Sequence, residues 1–181
     1  MRHKLAHAIA SMAVLSLMAV GIAVASTPGP AYLSVVRWKA VSKSKSTGLL
    51  SVTTKATIPR HPDAFIRPNA VVGFGWVDAQ TNKAFVATIH PVLGRDSTQN
   101  PRAWHAHTVT LTSGATAPND FCLGSIASTP TVGLSIHGAT MRINVRASTL
   151  PVPAAAFDLA TGFTVQADAA CASGLGVRVS T

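Results

Sequence analysis

From residue 69 onward, apolar and polar positions alternate in short bursts separated by turn residues. Val71, Gly73, Gly75 and Val77 fall on one face of a period-two pattern, and Val72, Phe74 and Trp76 on the other. The polar run Asp78 to Asn82 leads into Lys83–His90, where Phe85, Ala87 and Ile89 alternate with Ala84, Val86 and Thr88. Two such runs joined by a polar turn predict a hairpin. Further strands are predicted over 103–112, 121–126, 131–136, 139–146, 163–167 and 175–179, with His137-Gly138 marking a second hairpin. Upstream, 32–41 and 49–58 have β-branched strand character; a polar turn separates them, and Pro59, Pro62 and Pro68 end the second. Residues 151–160 read as a loop or a short helical turn. After the first 25 residues no longer window carries a helical period. Strands at this spacing predict an all-β fold, with an antiparallel β-sandwich of the Ig-like or Greek-key type preferred over a closed barrel.

The N-terminus carries a different pattern. Arg2, His3 and Lys4 precede an uncharged apolar run from Ala8 to Ala25, which ends in Ala23-Val24-Ala25 before Ser26. A positive start, an apolar run and small residues at an A-x-A site predict a signal peptide over 1–25, cleaved after Ala25. The alternative is an uncleaved anchor, for which the run is just long enough. Either reading places the rest of the chain outside the cytoplasm, secreted or in the periplasm or cell envelope. Cys122 and Cys171 are the only cysteines, and in an oxidising compartment they are expected to form a disulfide. The chain thus divides into 1–25, a basic segment with edge strands over 26–68, and a β-sandwich core over 69–181.

Composition narrows the chemistry. The 181 residues include 15 Lys and Arg against 6 acids, all aspartate, for a formal charge of +9. The absence of glutamate excludes Glu-dependent glycosidases, H-E-x-x-H zinc proteases and EF-hands. The excess charge is concentrated in 26–68, where Arg37, Lys39, Lys43 and Lys45 are the candidate contacts for an anionic surface or polyanion. The competing reading is an edge strand kept from aggregating by its lysines. Sequence-specific binding of nucleic acid is not expected, since no recognised signature is present.

Trp104-His105-Ala106-His107 is the most chemically suggestive stretch. Residues i and i+2 of a strand share a face, so His105 and His107 point the same way and are placed to chelate zinc or copper. His90, at the end of the neighbouring strand, is the best third ligand, followed by His137 and Asp96. The H-x-H of cupins is followed by a glutamate that this chain lacks. The histidine-rich zinc loop of copper/zinc superoxide dismutases is also missing, because 108–136 contain no histidine. No catalytic residues are assigned: G-x-S-x-G is absent and no glycine-rich loop precedes a helix. The leading expectation is a secreted or cell-envelope β-sandwich with a binding or structural role, non-catalytic and without cofactor. The alternative is a copper- or zinc-binding protein, possibly enzymatic, built on the His-x-His pair.

Overall fold

A computed structural model of the chain describes residues 30–60, 71–90 and 103–180. The leader and its cleavage point, the start of the basic segment, Pro62, Pro68 and the 91–102 loop with Asp96 lie outside the described residues. The described chain forms strands β1 (Val35–Ser42), β2 (Thr47–Thr54), β3 (Val71–Asp78), β4 (Lys83–Ile89) and β5 (His105–Thr112). They are followed by β6 (Phe121–Ser128), β7 (Gly133–His137), β8 (Thr140–Arg146), β9 (Leu159–Ala167) and β10 (Leu175–Ser180). Short 3-10 turns over Ala31–Leu33, Ala147–Thr149 and Ala154–Ala156 supply the only helical backbone among the described residues.

The strands form two antiparallel sheets. One is open, in the order β1-β2-β8-β7; the other runs β10-β6-β5-β4-β3-β9 and closes into a six-stranded barrel. All-β, antiparallel and two-layered therefore hold as expected, while closure replaces one of the two open sheets that a sandwich requires. The physical reason lies in β10, which pairs along its whole length with β9 and also reaches β6. That leaves the second sheet without a free edge strand. The described strands of the basic segment, β1 and β2, belong to the open sheet with β7 and β8, and β1 is its edge.

Burial follows from the pattern. β2 and β8 alternate strictly, turning Leu50, Val52, Met141, Ile143 and Val145 toward the barrel. They meet the outward face of the barrel wall, where Phe74, Trp76, Phe85 and Ile89 are fully buried. Trp76 Nε1 donates to the carbonyl of Lys39 at 3.2 Å, so the largest core side chain is also polar-satisfied across the two sheets. β3 and β4 are buried on both faces because the other face looks into the barrel. There a second, smaller cluster forms from Ala84, Val86, Val109, Phe163, Val165 and Val177. Gly73 lets it form: a Cβ at that position would lie 2.8 Å from the Phe163 ring and 2.4 Å from the Ala87 carbonyl oxygen. At the β7–β8 hairpin, Gly138 takes the positive φ of 57° that the sequence places there.

Barrel closure is thinnest between β6 and β10, which share two registered pairs, Gly176 with Cys122 and Val177 with Phe121. The Cys122–Cys171 disulfide, with Cα atoms 5.3 Å apart, crosses at this seam and joins the start of β6 to the β9–β10 connection. Asp168 organises the same connection. It accepts from Asn119 Nδ2 at 2.9 Å and from the backbone N–H of Thr116 at 2.7 Å and Ala170 at 3.0 Å. These bonds, Asn119 first, hold its carboxyl below the ordinary aspartate range.

Candidate metal centre

The face of β5 that carries His105, His107, Val109 and Leu111 is its lumen face, since Val109 and Leu111 belong to the cluster inside the barrel. β4 runs antiparallel beside it, with Thr88 opposite His105 and Val86 opposite His107. The lumen face of β4 therefore reads Ala84, Val86, Thr88, and one step further His90. Period-two geometry alone brings three histidines to one end of the barrel. All three are buried: His90 is 4% exposed, His105 7% and His107 3%.

Their ligand nitrogens lie within 4.8 Å of one another. His90 Nε2 and His105 Nε2 are 2.9 Å apart, and the ring centroids of His105 and His107 are 4.8 Å apart. Three nitrogens on a tetrahedral zinc are spaced by about 3.3 Å, given metal–nitrogen bonds of about 2.0–2.1 Å.

The outer contacts orient the rings. His105 Nδ1 lies 3.0 Å from the Ala103 carbonyl oxygen, which only accepts, so Nδ1 carries the proton and Nε2 is left bare in the neutral ring. His90 then donates the Nε2–H of the 2.9 Å contact. His107 Nδ1 meets Thr129 Oγ1 at 2.9 Å. A histidine that gives one nitrogen to a carbonyl or hydroxyl and turns the other inward has the arrangement of a metal ligand. With the His90 proton moved from Nε2 to Nδ1, such a set can offer a divalent ion three imidazole nitrogens and leave a fourth position open.

The histidines open onto a cavity of about 510 Å³ that runs through the barrel, with His90 and His107 in its wall. Most of that wall is aliphatic or aromatic, including Val71, Val86, Val109, Leu111, Phe163 and Val165. Ile126 and Phe121 also line it from β6, yet they are 52% and 38% exposed. They form an apolar rim along the strand that β10 only partly covers.

The remaining predicted residues fall elsewhere. His137 is exposed at the end of β7 in the open sheet, because its neighbour Ile136 takes the buried side. It is apart from the three clustered histidines. Arg37 and Lys39 point outward from β1, Lys45 is exposed in the β1–β2 turn, and Lys43 Nζ reaches Asn144 Oδ1 at 3.4 Å. Strand pairing adds two residues that sequence reasoning did not select. Arg142 lies opposite Ser51, which lies opposite Lys39, and both Arg142 and Arg146 are exposed on the same outward face. Thr129 was also missed, being in a loop without local signal. Thr88 was legible as a member of the face that ends in His90. Comparison with known protein families, characterised proteins and solved structures finds no match.

Proposed function

We propose that this is an extracytoplasmic metal-binding protein in which His90, His105 and His107 hold zinc or copper at one end of a hollow β-barrel. The convergence of three buried histidine nitrogens within 4.8 Å, two of them with oriented outer partners, carries the reading. Nitrogen ligands around an ion gain a coordination bond each, beyond the hydrogen bonds that the rings make to one another and to their neighbours. The disulfide suits an oxidising compartment, in keeping with the signal peptide expected over 1–25. The open sheet laid on the barrel wall is the sandwich element of the fold, and binding rather than catalysis is the role proposed for the whole. Zinc titration by calorimetry tests the reading. One equivalent is expected to bind, and His105→Ala with His107→Ala is expected to abolish binding while the far-ultraviolet β signature persists. Stoichiometry near zero for the unmodified protein sinks it.

A second reading rests on the outward face of the open sheet, where Arg37, Lys39, Arg142 and Arg146 stand together without an aspartate among the described strands of that sheet. We propose that this face adheres to anionic lipid. Sedimentation with phosphatidylglycerol vesicles is expected to weaken with salt and with Arg142→Glu; salt-insensitive or absent sedimentation removes the proposal.

A further inference from the structure

Thr88 is a buried hydroxyl that the histidine centre does not use. The residue is 3% exposed, and among the described residues no donor or acceptor reaches its Oγ1. Its backbone faces His105 across the β4–β5 ladder, it precedes His90 by two positions on the lumen face, and it lines the cavity. A buried hydroxyl on the same strand face as the histidine cluster, without a partner among the described residues, is a group that a bound ligand can satisfy.

Charge points the same way. Among the described residues no carboxylate joins the three histidines, and imidazoles alone leave the charge of a divalent ion uncompensated in an apolar enclosure, which is unfavourable without an anion. Asp120, a carboxylate that also lines the cavity, is not placed to help. It precedes the first residue of β6, whereas His107 is one residue from Thr108, which pairs with Ser128 at the other end of that strand. Its Oδ2 is engaged by the Val179 N–H at 2.7 Å. A hydroxide could neutralise the ion but would leave the aliphatic lumen unfilled. A cavity of about 510 Å³ lies within the range of small-molecule sites, which are mostly apolar with a few convergent polar groups.

On the metal reading above, we infer that the open coordination position takes the carboxylate of a small apolar acid. One carboxylate oxygen binds the ion and the other accepts the Thr88 hydroxyl hydrogen. The aliphatic or aromatic body lies along Val86, Val109, Phe163 and Val165. Ile126 and Phe121 form the rim by which such a molecule passes from solvent to lumen.

The probe is octanoate, with 1-octanol as the same tail without the carboxylate, added to the zinc-loaded protein and followed by calorimetry. The cobalt-substituted protein supplies a visible spectrum that reports the coordination sphere directly. Octanoate is expected to bind one to one and to change the cobalt spectrum, with 1-octanol at least tenfold weaker. Thr88→Val is expected to lower octanoate affinity by about tenfold and leave zinc affinity unchanged. Val86→Trp and Leu111→Phe, two independent ways of filling the lumen, are expected to abolish octanoate binding while zinc still binds. If one of them fails to fold, the other and Thr88→Val carry the test. Zinc-loaded protein indifferent to octanoate, 1-octanol binding as tightly as octanoate, or unchanged octanoate binding in the folded lumen variants overturns the inference alone. Failure to bind zinc overturns the metal reading and the inference with it.

Discussion

Replacing Thr88 by valine is expected to stabilise the metal-free, ligand-free protein, although the change removes a polar group beside a proposed binding centre. Valine keeps the branched shape at Cβ and exchanges a hydroxyl for a methyl of similar size. The hydroxyl is buried and has no partner among the described residues, so the folded state has given up its hydration without replacement. Leaving a buried hydroxyl unpaired costs about 1–3 kcal/mol, and the methyl recovers most of it in contact with the aliphatic lumen. With a urea m-value of about 2 kcal/mol/M, the midpoint is expected to rise by about 0.5–1.5 M. Melting temperature should rise by about 2–4 °C for each kcal/mol. Chelator-treated protein, wild type and variant side by side, supplies the measurement. Saturation with zinc and octanoate should then narrow or reverse the difference, because only wild type offers the ligand a hydroxyl. A destabilised variant, or a midpoint unchanged within about 0.2 M, refutes the argument that the hydroxyl is orphaned.

Three further outcomes follow from the same structure. Replacing Cys122 and Cys171 together by alanine removes a link across 49 residues and is expected to cost about 4 kcal/mol in the chain-entropy model. Urea unfolding should show the loss, with hydrogen exchange at Val177 and Cys122 accelerating first; a loss under about 1 kcal/mol contradicts the seam assignment. His90→Ala is expected to weaken zinc binding strongly and His137→Ala to leave it unchanged, as read by competition with a chromophoric chelator. Equal effects would show that the cluster is misassigned. Asp168 is held ionised by Asn119, Thr116 and Ala170, so its contribution to stability is full above the ordinary aspartate pKa near 4 and is lost as pH falls through its depressed folded value. Thermal melts should therefore show Asp168→Asn less stable than wild type at pH 6, with the gap closing toward pH 3. A gap independent of pH removes the electrostatic account.

How much of this was legible in the chain depends on which link is asked. Strand positions were readable because each burst of alternating residues has one buried side, as in β8, where Met141, Ile143 and Val145 are buried and their neighbours exposed. The ends were less clear. Tyr32 and Leu33 look like strand residues but form a buried 3-10 turn, and β9 begins at Leu159, inside a stretch whose alanines and proline suggested a loop. Closure was not readable, because β6 and β10 meet through only Gly176 with Cys122 and Val177 with Phe121, and no local pattern announces so short a ladder. In β3 and β4 both faces are apolar, so alternation did not tell lumen from outer wall. His105 and His107 were found by spacing within one strand, and His90 by its place at the end of the adjacent one. Thr129 was invisible because its contact to His107 spans 22 residues of sequence.

The separation of the two apolar clusters has a consequence for how this molecule can change. The larger one, with Leu50, Trp76, Met141 and Ile143, lies outside the barrel and joins its wall to the open sheet. The smaller one, with Val86, Val109, Phe163 and Val165, surrounds the lumen. Different residues therefore govern persistence of the fold and the shape of the space within it. A lineage carrying such a chain can diversify its lumen by single substitutions at Val109 or Val165 while the outer cluster keeps each intermediate folded. A combinatorial library restricted to those inward positions samples new lumen shapes on an unchanged frame.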